Sequence, residues 1–149
     1  MRVDGYGNDC ITQTAYLAYS GYIKQRNYIS GTWGEWEWIN PPMELGVEYR
    51  TTERWQGKPV YTKLVDCGAL PDNSPKTIGF ASANYNCFDL KIYARNADTT
   101  TTFMFPMLSY NDGSVLARAD IYAGQIIQIR TFSALSHYSA YAIVKYTKD

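Results

Sequence analysis

The residues best suited to chemistry are two glutamates spaced i, i+2 in the run Gly31 to Asn40, GTWGEWEWIN. Side chains alternate across a strand, so Glu35 and Glu37 point one way and Trp36 and Trp38 the other. Two carboxylates on one face are the raw material of a glycosidase, which needs them roughly 5–9.5 Å apart. No apolar run surrounds either one to raise its pKa, so the pair reads as solvated surface charge. His137, beside Ser136 and Ser139 and with Asp120 upstream, has the residue types of a hydrolase triad. No serine carries the nucleophile-elbow pattern, so His137 is expected in a loop or a subunit contact. Asp4, Asn8 and Asp9 around Gly5 and Gly7 lack the spacing and closing glutamate of a calcium loop and read as a turn. Cys10, Cys67 and Cys87 are an odd number with no close pair, and His137 is the single histidine. That spacing fits neither zinc nor a redox pair, and the odd count argues against a secreted disulfide framework. Cys67 reads as a buried free thiol, and a Cys67–Cys87 bridge is left open. The expectation is a protein without catalysis, cofactor or metal.

Rings beside amides suggest binding instead. The chain holds 14 Tyr and 4 Trp. A tyrosine offers a rigid apolar face with a polar tip, which suits sheets, interfaces and sugar contacts alike. Loops carried on a rigid sheet are where binding usually resides. The candidate ligand-binding residues are therefore Trp55, placed in a hairpin turn, Tyr85 and Asn86 in the stretch from Asn84, and Tyr110, Asn111 and Asp112 in the turn closed by Gly113. Turn chemistry alone also accounts for Asn111 to Gly113. Trp33, Trp36 and Trp38 could join Trp55 in a carbohydrate platform. Because Trp36 and Trp38 share a face, packing against the neighbouring unit is the preferred reading for them.

Composition narrows the partners. The 14 basic and 14 acidic residues cancel, so the basic footprint of a nucleic-acid binder is missing. Lys and Arg are scattered, which disfavours an anionic membrane surface. No run approaches the length needed to cross a bilayer. No signal peptide is evident, and the opening residues look like mid-domain sequence of a longer protein.

These residues must be positioned by strands, because no helical period persists. Short β-prone runs cover Thr12 to Tyr19, Tyr22 to Ile29, Trp33 to Ile39, Val47 to Glu53, Val60 to Asp66, Lys76 to Phe80, Phe88 to Arg95, Phe103 to Leu108, Ser114 to Ala119, Ile126 to Phe132 and Tyr138 to Tyr146. Phe88, Leu90 and Ile92 are expected inward. So are one-face sets at Ile127 and Ile129, and at Ala140, Ala142, Val144 and Tyr146. Pro41-Pro42 cannot donate to a ladder and marks a boundary. The expectation is all-β: a small β-hairpin unit over residues 1–40, then an antiparallel β-sandwich, jelly-roll-like, of about eight strands over 41–149.

The stretch from Pro42 to Pro71, PMELGVEYRTTERWQGKPVYTKLVDCGALP, resembles a module near the C-terminus of bacteriophage tail-fibre proteins. Glu48 to Lys63 is its most recognisable part, and YSAYAIVKYTKD, Tyr138 to Asp149, matches its ending. Gly31 to Asn40 resembles the end of a pyocin-knob-type unit, a small β module of phage and tailocin fibres. Ala83 to Thr102 departs from the pattern. The resemblance implies a β-sandwich tip on the virion, assembled in the host cytoplasm as a homotrimer, that binds a host-surface receptor, a glycan or a protein, without catalysis. It carries over no receptor-contacting residues. A fragment of a polysaccharide-degrading tail spike and a purely structural trimerisation cap are the alternatives.

Overall fold

The computed structural model describes every residue except 8, 81–84, 100, 110, 123–125 and 149, and only the backbone of Tyr6. The described residues form strands, turns and bends with no helix. In chain order the strands are β1 Arg2–Tyr6, β2 Cys10–Tyr16, β3 Ile23–Ile29, β4 Thr32–Trp33, β5 Glu37–Trp38, β6 Glu48–Trp55 and β7 Lys58–Ala69. They continue as β8 Pro75–Gly79, β9 Tyr85–Asn96, β10 Thr102–Met104, β11 Met107–Leu108, β12 Val115–Tyr122, β13 Ile126–Thr131 and β14 Tyr138–Lys148.

Two sheets result. The larger runs β1-β2-β3-β5-β6-β7-β14-β9-β10, with β4 also on β3; the smaller runs β11-β12-β13-β8. The chain passes from one sheet to the other after β7, β8, β10 and β13. The core lies between them. Val65 and Cys67 of β7, Ile92 and Ala94 of β9, and Ala140, Ala142 and Val144 of β14 face Ala117 of β12 and Ile127 and Ile129 of β13. The face-to-face packing makes this half a β-sandwich, as expected. The one-face sets in the last two strands also hold: Ile127, Ile129, Ala140, Ala142 and Val144 are fully buried, and Tyr146 nearly so. Each such aliphatic side chain contributes about 1.5–3 kcal/mol of transfer free energy on burial, while alanines let the two faces approach.

Local departures have local causes. Gln56 and Gly57 both take positive φ, 50° and 79°, so β6 and β7 are joined by the two-residue turn that matches strand twist. Trp55, expected in the hairpin turn, therefore lies opposite Lys58 at the end of the ladder. The β14–β9 register slips between Lys145 and Tyr146, opposite Asp89 and Cys87. Phe88 is the extra residue of that bulge, and a one-residue slip reverses its side. Phe88 is accordingly absent from the core cluster, whereas Leu90 and Ile92 belong to it. The residues read as an N-terminal turn partly form a strand, since Arg2 to Tyr6 pairs with Thr14 to Cys10. The return run Trp33 to Ile39 is split into β4 and β5, both on β3. Hydrogen bonding continues past Asn40-Pro41-Pro42, because Trp38 of β5 pairs in parallel with Thr51 of β6. Asn40 ties that crossing down: its Oδ1 accepts from Ile23 N at 2.7 Å and its Nδ2 donates to Gly21 O at 2.9 Å.

Candidate ligand-binding groove

The β6–β7 hairpin is an arm that leans over the large sheet. β7 and β14 lie between β6 and β9, so a flat sheet would separate β6 from β9 by roughly 14 Å, three spacings of about 4.8 Å. Trp55 of β6 nevertheless stacks on Phe88 of β9, ring centroids 4.3 Å apart and planes within 4°. Lys145 of β14 donates to both oxygens of Glu53, at 2.6 and 2.7 Å. The bend is permitted where β6 leaves its ladder with β7, between Arg50 and Arg54. It covers Val60, Thr62 and Thr147, all under 5% exposed. Thr51 Oγ1 donates to Val60 O at 3.0 Å and satisfies a carbonyl at the bend.

The base of the arm is held by Glu37. This carboxylate is buried and accepts from Arg50 Nε and Arg54 Nη2, each at 2.8 Å, while Arg50 also reaches Glu35. Burial alone would lower the Arg50 pKa, but the hydrogen bond and charge of Glu37 outweigh it and raise it. The solvated-pair expectation is thus corrected for Glu37: it joins the N-terminal strands to the arm, and only Glu35 stays exposed. Its neighbours form a ladder of rings and cations. Arg26 lies over Trp33 at 4.3 Å and Trp36 at 4.7 Å, and Lys24 over Trp38 at 4.0 Å. Trp38 meets Tyr49 edge-on at 5.5 Å, so that ring packs toward the neighbouring unit as expected.

Between the linker after β5 and the outer face of β7, β14 and β9 lies a groove of about 410 Å³. Ile39, Pro41 and Met43 form one wall; the sheet supplies Ile143, Tyr93 and the charged row of Asp89, Lys91 and Lys145. Pairing sets Lys145 opposite Asp89, Ile143 opposite Lys91 and Tyr141 opposite Tyr93. Glu53 neutralises Lys145. Neither Asp89 nor Lys91 has an ion-pair partner within 4 Å among the described residues. Thr52 adds a hydroxyl, while Thr51 and Thr62 lie buried beneath. The sequence reading missed this groove, although the alternation that sends Leu90 and Ile92 inward also sends Asp89, Lys91 and Tyr93 to the other side.

The candidates chosen from sequence fall into two separated groups. Trp55, Tyr85 and Asn86 gather at one end of the sandwich. There Tyr85 stacks on Tyr146 at 4.9 Å, Asn86 is exposed opposite Thr147, and Lys148 sits 4.1 Å over Tyr61. Glu48 accepts from the Tyr146 hydroxyl and from Lys148. Burial, then Glu48, raises the Tyr146 pKa well above the usual phenol value. Asn111 and Asp112 lie in the turn before Val115. The other end of that strand, Tyr122, pairs with Ile126 beside Gly79, and the next residue, Phe80, touches Tyr146. The turn is therefore at the opposite end from Trp55. Asp112 closes it by accepting from Ser114 N at 3.0 Å and Oγ at 2.8 Å, and hydrogen bonding from Ser109, then from Ser114, lowers its pKa. Tyr110 and Asn84 lie outside the described residues, as does Asn8 of the N-terminal turn.

The remaining reactive types do not converge. Asp120 pairs with Arg118 and lies opposite Gln128, whereas His137 packs on Tyr138 at 4.4 Å. Cys67, next to the Gly68–Ala140 pair, and Cys87, opposite Tyr146, are six residues apart along β14. That is roughly 20 Å, against a Cα limit near 7 Å for a disulfide. The Cys67–Cys87 bridge is excluded, and Cys67 is the buried thiol expected. Among the described residues no group of three or more His, Cys, Asp or Glu is arranged to hold a metal ion.

No family model matches the chain, and no curated protein sequence matches it. Among solved structures, an N-truncated R2-type pyocin tail fibre aligns over 98% of this chain and 80% of its own length, at 11% identity and a TM-score of 0.34. An R1 pyocin fibre of P. aeruginosa aligns over 97% of this chain and 55% of its own, at 11% identity and a TM-score of 0.31. An R2 pyocin fibre of P. aeruginosa aligns over 98% and 55%, at 10% identity and a TM-score of 0.26. Likeness at this level does not establish a common fold.

Proposed function

We propose that the chain is a tail-fibre module of a phage or phage-like particle, that it works as a homotrimer, and that it adheres to a ligand on the host surface without transforming it. The observation that carries this reading concerns Glu48 to Lys63. The segment whose sequence resembles tail-fibre modules is the arm that builds the groove. Its distinctive residues all have structural tasks there: Glu48 toward Lys148, Arg50 and Arg54 toward Glu37, Glu53 toward Lys145, and Trp55 on Phe88. These contacts commit the carboxylates of the arm to cations. The chemistry left uncommitted nearby is the Tyr93 ring, the Thr52 hydroxyl and the charges of Asp89 and Lys91, which suits recognition of a hydroxylated surface.

The test is adhesion of the labelled full chain to a panel of intact bacteria, with surface polysaccharide from bound strains incubated in parallel. Saturable binding to some strains and no release of reducing ends is the expected result. Polymer turnover would replace adhesion by catalysis, and absence of binding across the panel would leave only a structural cap.

A further inference from the structure

We propose that the groove between the linker and the outer sheet face binds a neutral, N-acylated hexosamine unit. This deepens the adhesion reading and rests on it. Its volume, about 410 Å³, falls within the roughly 300–1,000 Å³ of small-molecule sites, which combine apolar walls with a few placed polar groups. The charges that line it balance: Glu53 and Asp89 against Lys91 and Lys145. A balanced site exerts no net pull on a polyanion such as a phosphate-rich polymer, so long-range attraction does not select the ligand.

Selection then falls to shape and short-range contact. Tyr93 offers a ring face for the C–H face of a pyranose. Ile39, Met43 and Ile143 form an apolar patch on which the methyl of an acyl group loses water. Asp89, without an ion-pair partner within 4 Å among the described residues, is an open acceptor for sugar hydroxyls, and Lys91 is an open donor for the acyl carbonyl. A free amino sugar would bring a net charge and no methyl, and a plain hexose would bring neither the acyl carbonyl nor the methyl. The groove therefore distinguishes the three in one order.

The experiment titrates the full chain with N-acetylglucosamine, glucosamine and glucose, reading backbone amide shifts by NMR. N-acetylglucosamine is expected to perturb amides around residues 39–43, 89–93 and 143–145, and to bind at least about fivefold more tightly than the other two. Tyr93→Ala is expected to weaken it about five- to tenfold, with Leu108→Ala, an exposed position on the other sheet, as the control that changes nothing. Lys91→Met, a second variant on the solvent side, keeps the test meaningful if Tyr93→Ala fails to fold, and is expected to remove the preference for the acylated sugar. Shifts confined to other surfaces, equal affinity for the three sugars, or no N-acetylglucosamine binding would each overturn the assignment. Host-cell adhesion that persists in Lys91→Met while the sugar does not bind would sink the groove and leave the adhesion reading standing. Loss of adhesion by the unaltered chain would sink both.

Discussion

At the scale of single residues, burial sorts groups of the same type. Cys10 is exposed, whereas burial pushes the Cys67 and Cys87 thiols up to about 11. The thiolate is the reactive form. One thiol per folded chain is therefore expected to react quickly with a disulfide reagent at pH 8, and all three after denaturation; fast native labelling of Cys67 would contradict the packing of β7. Carboxylates divide in the same way. Asp72 accepts from Ser136 N at 2.7 Å, and hydrogen bonding from the Ser136 hydroxyl, then from its backbone N–H, holds its pKa below the ordinary 3.8. A depressed folded pKa means the contribution is present above the unfolded value and disappears as pH falls through the folded one. Acid below that window should loosen the loop joining β13 to β14 first. Asp72→Asn should remove that part of the acid sensitivity, as seen by amide NMR of Ser136. Glu37 has a larger structural task. Glu37→Gln leaves Arg50 and Arg54 without their shared anion, and both are partly exposed, which discounts the loss through solvent screening. About 1–3 kcal/mol of stability is expected to go, measured by urea unfolding. An unchanged midpoint would show that the fork is ornamental.

At the scale of elements, the arm is the device on which the groove depends. The Trp55–Phe88 stack is worth about 0.5–1.5 kcal/mol beyond its buried area. Trp55→Ala should thus speed hydrogen exchange across residues 52–60 selectively, leaving β13 and β14 protected. Uniform acceleration would mean that the arm unfolds only with the whole sandwich. This element also shows where sequence reading succeeds and stops. Period-two alternation marks Ala140 to Tyr146 and Ile127 to Ile129 correctly because a buried sheet face leaves no freedom of register. Alternation fails at Phe88 because a bulge is one extra residue without a compositional marker. Trp55 was legible as an important ring, but its partner was not, since the stack crosses two intervening strands. The groove escaped notice for a related reason: its walls, 39–43 and 89–93, are distant in sequence and meet only when the linker folds onto the sheet. Asn111 and Asp112 were legible as a turn, and Asp112's bonds to Ser114 are those of a turn.

At the scale of the whole molecule, the proposed homotrimer would have its contact on the outer face of the small sheet. Arg118, Asp120 and Tyr122 of β12 point to one side by strand alternation, and Arg118 and Arg130 flank Phe132 at 5.9 and 6.0 Å. Phe132 and Tyr122 are 48% and 66% exposed in the single chain. Large rings flanked by cations at an exposed position mark an interface more often than a bare surface. Around a three-fold axis, each copy would lay this face against its neighbour and leave the groove, on the opposite sheet, pointing outward. The homotrimer should therefore show about three times 17.0 kDa by light scattering. Phe132→Arg would add a third guanidinium beside Arg118 and Arg130, and like charges that cannot separate across a closed interface cost several kcal/mol. That variant should run as a single chain with an unchanged β-type circular-dichroism spectrum. If it still assembles, the small sheet is not the contact and the exposed rings must serve elsewhere. If the unaltered chain is itself a monomer at micromolar concentration, the trimer falls, while a groove built within one chain remains.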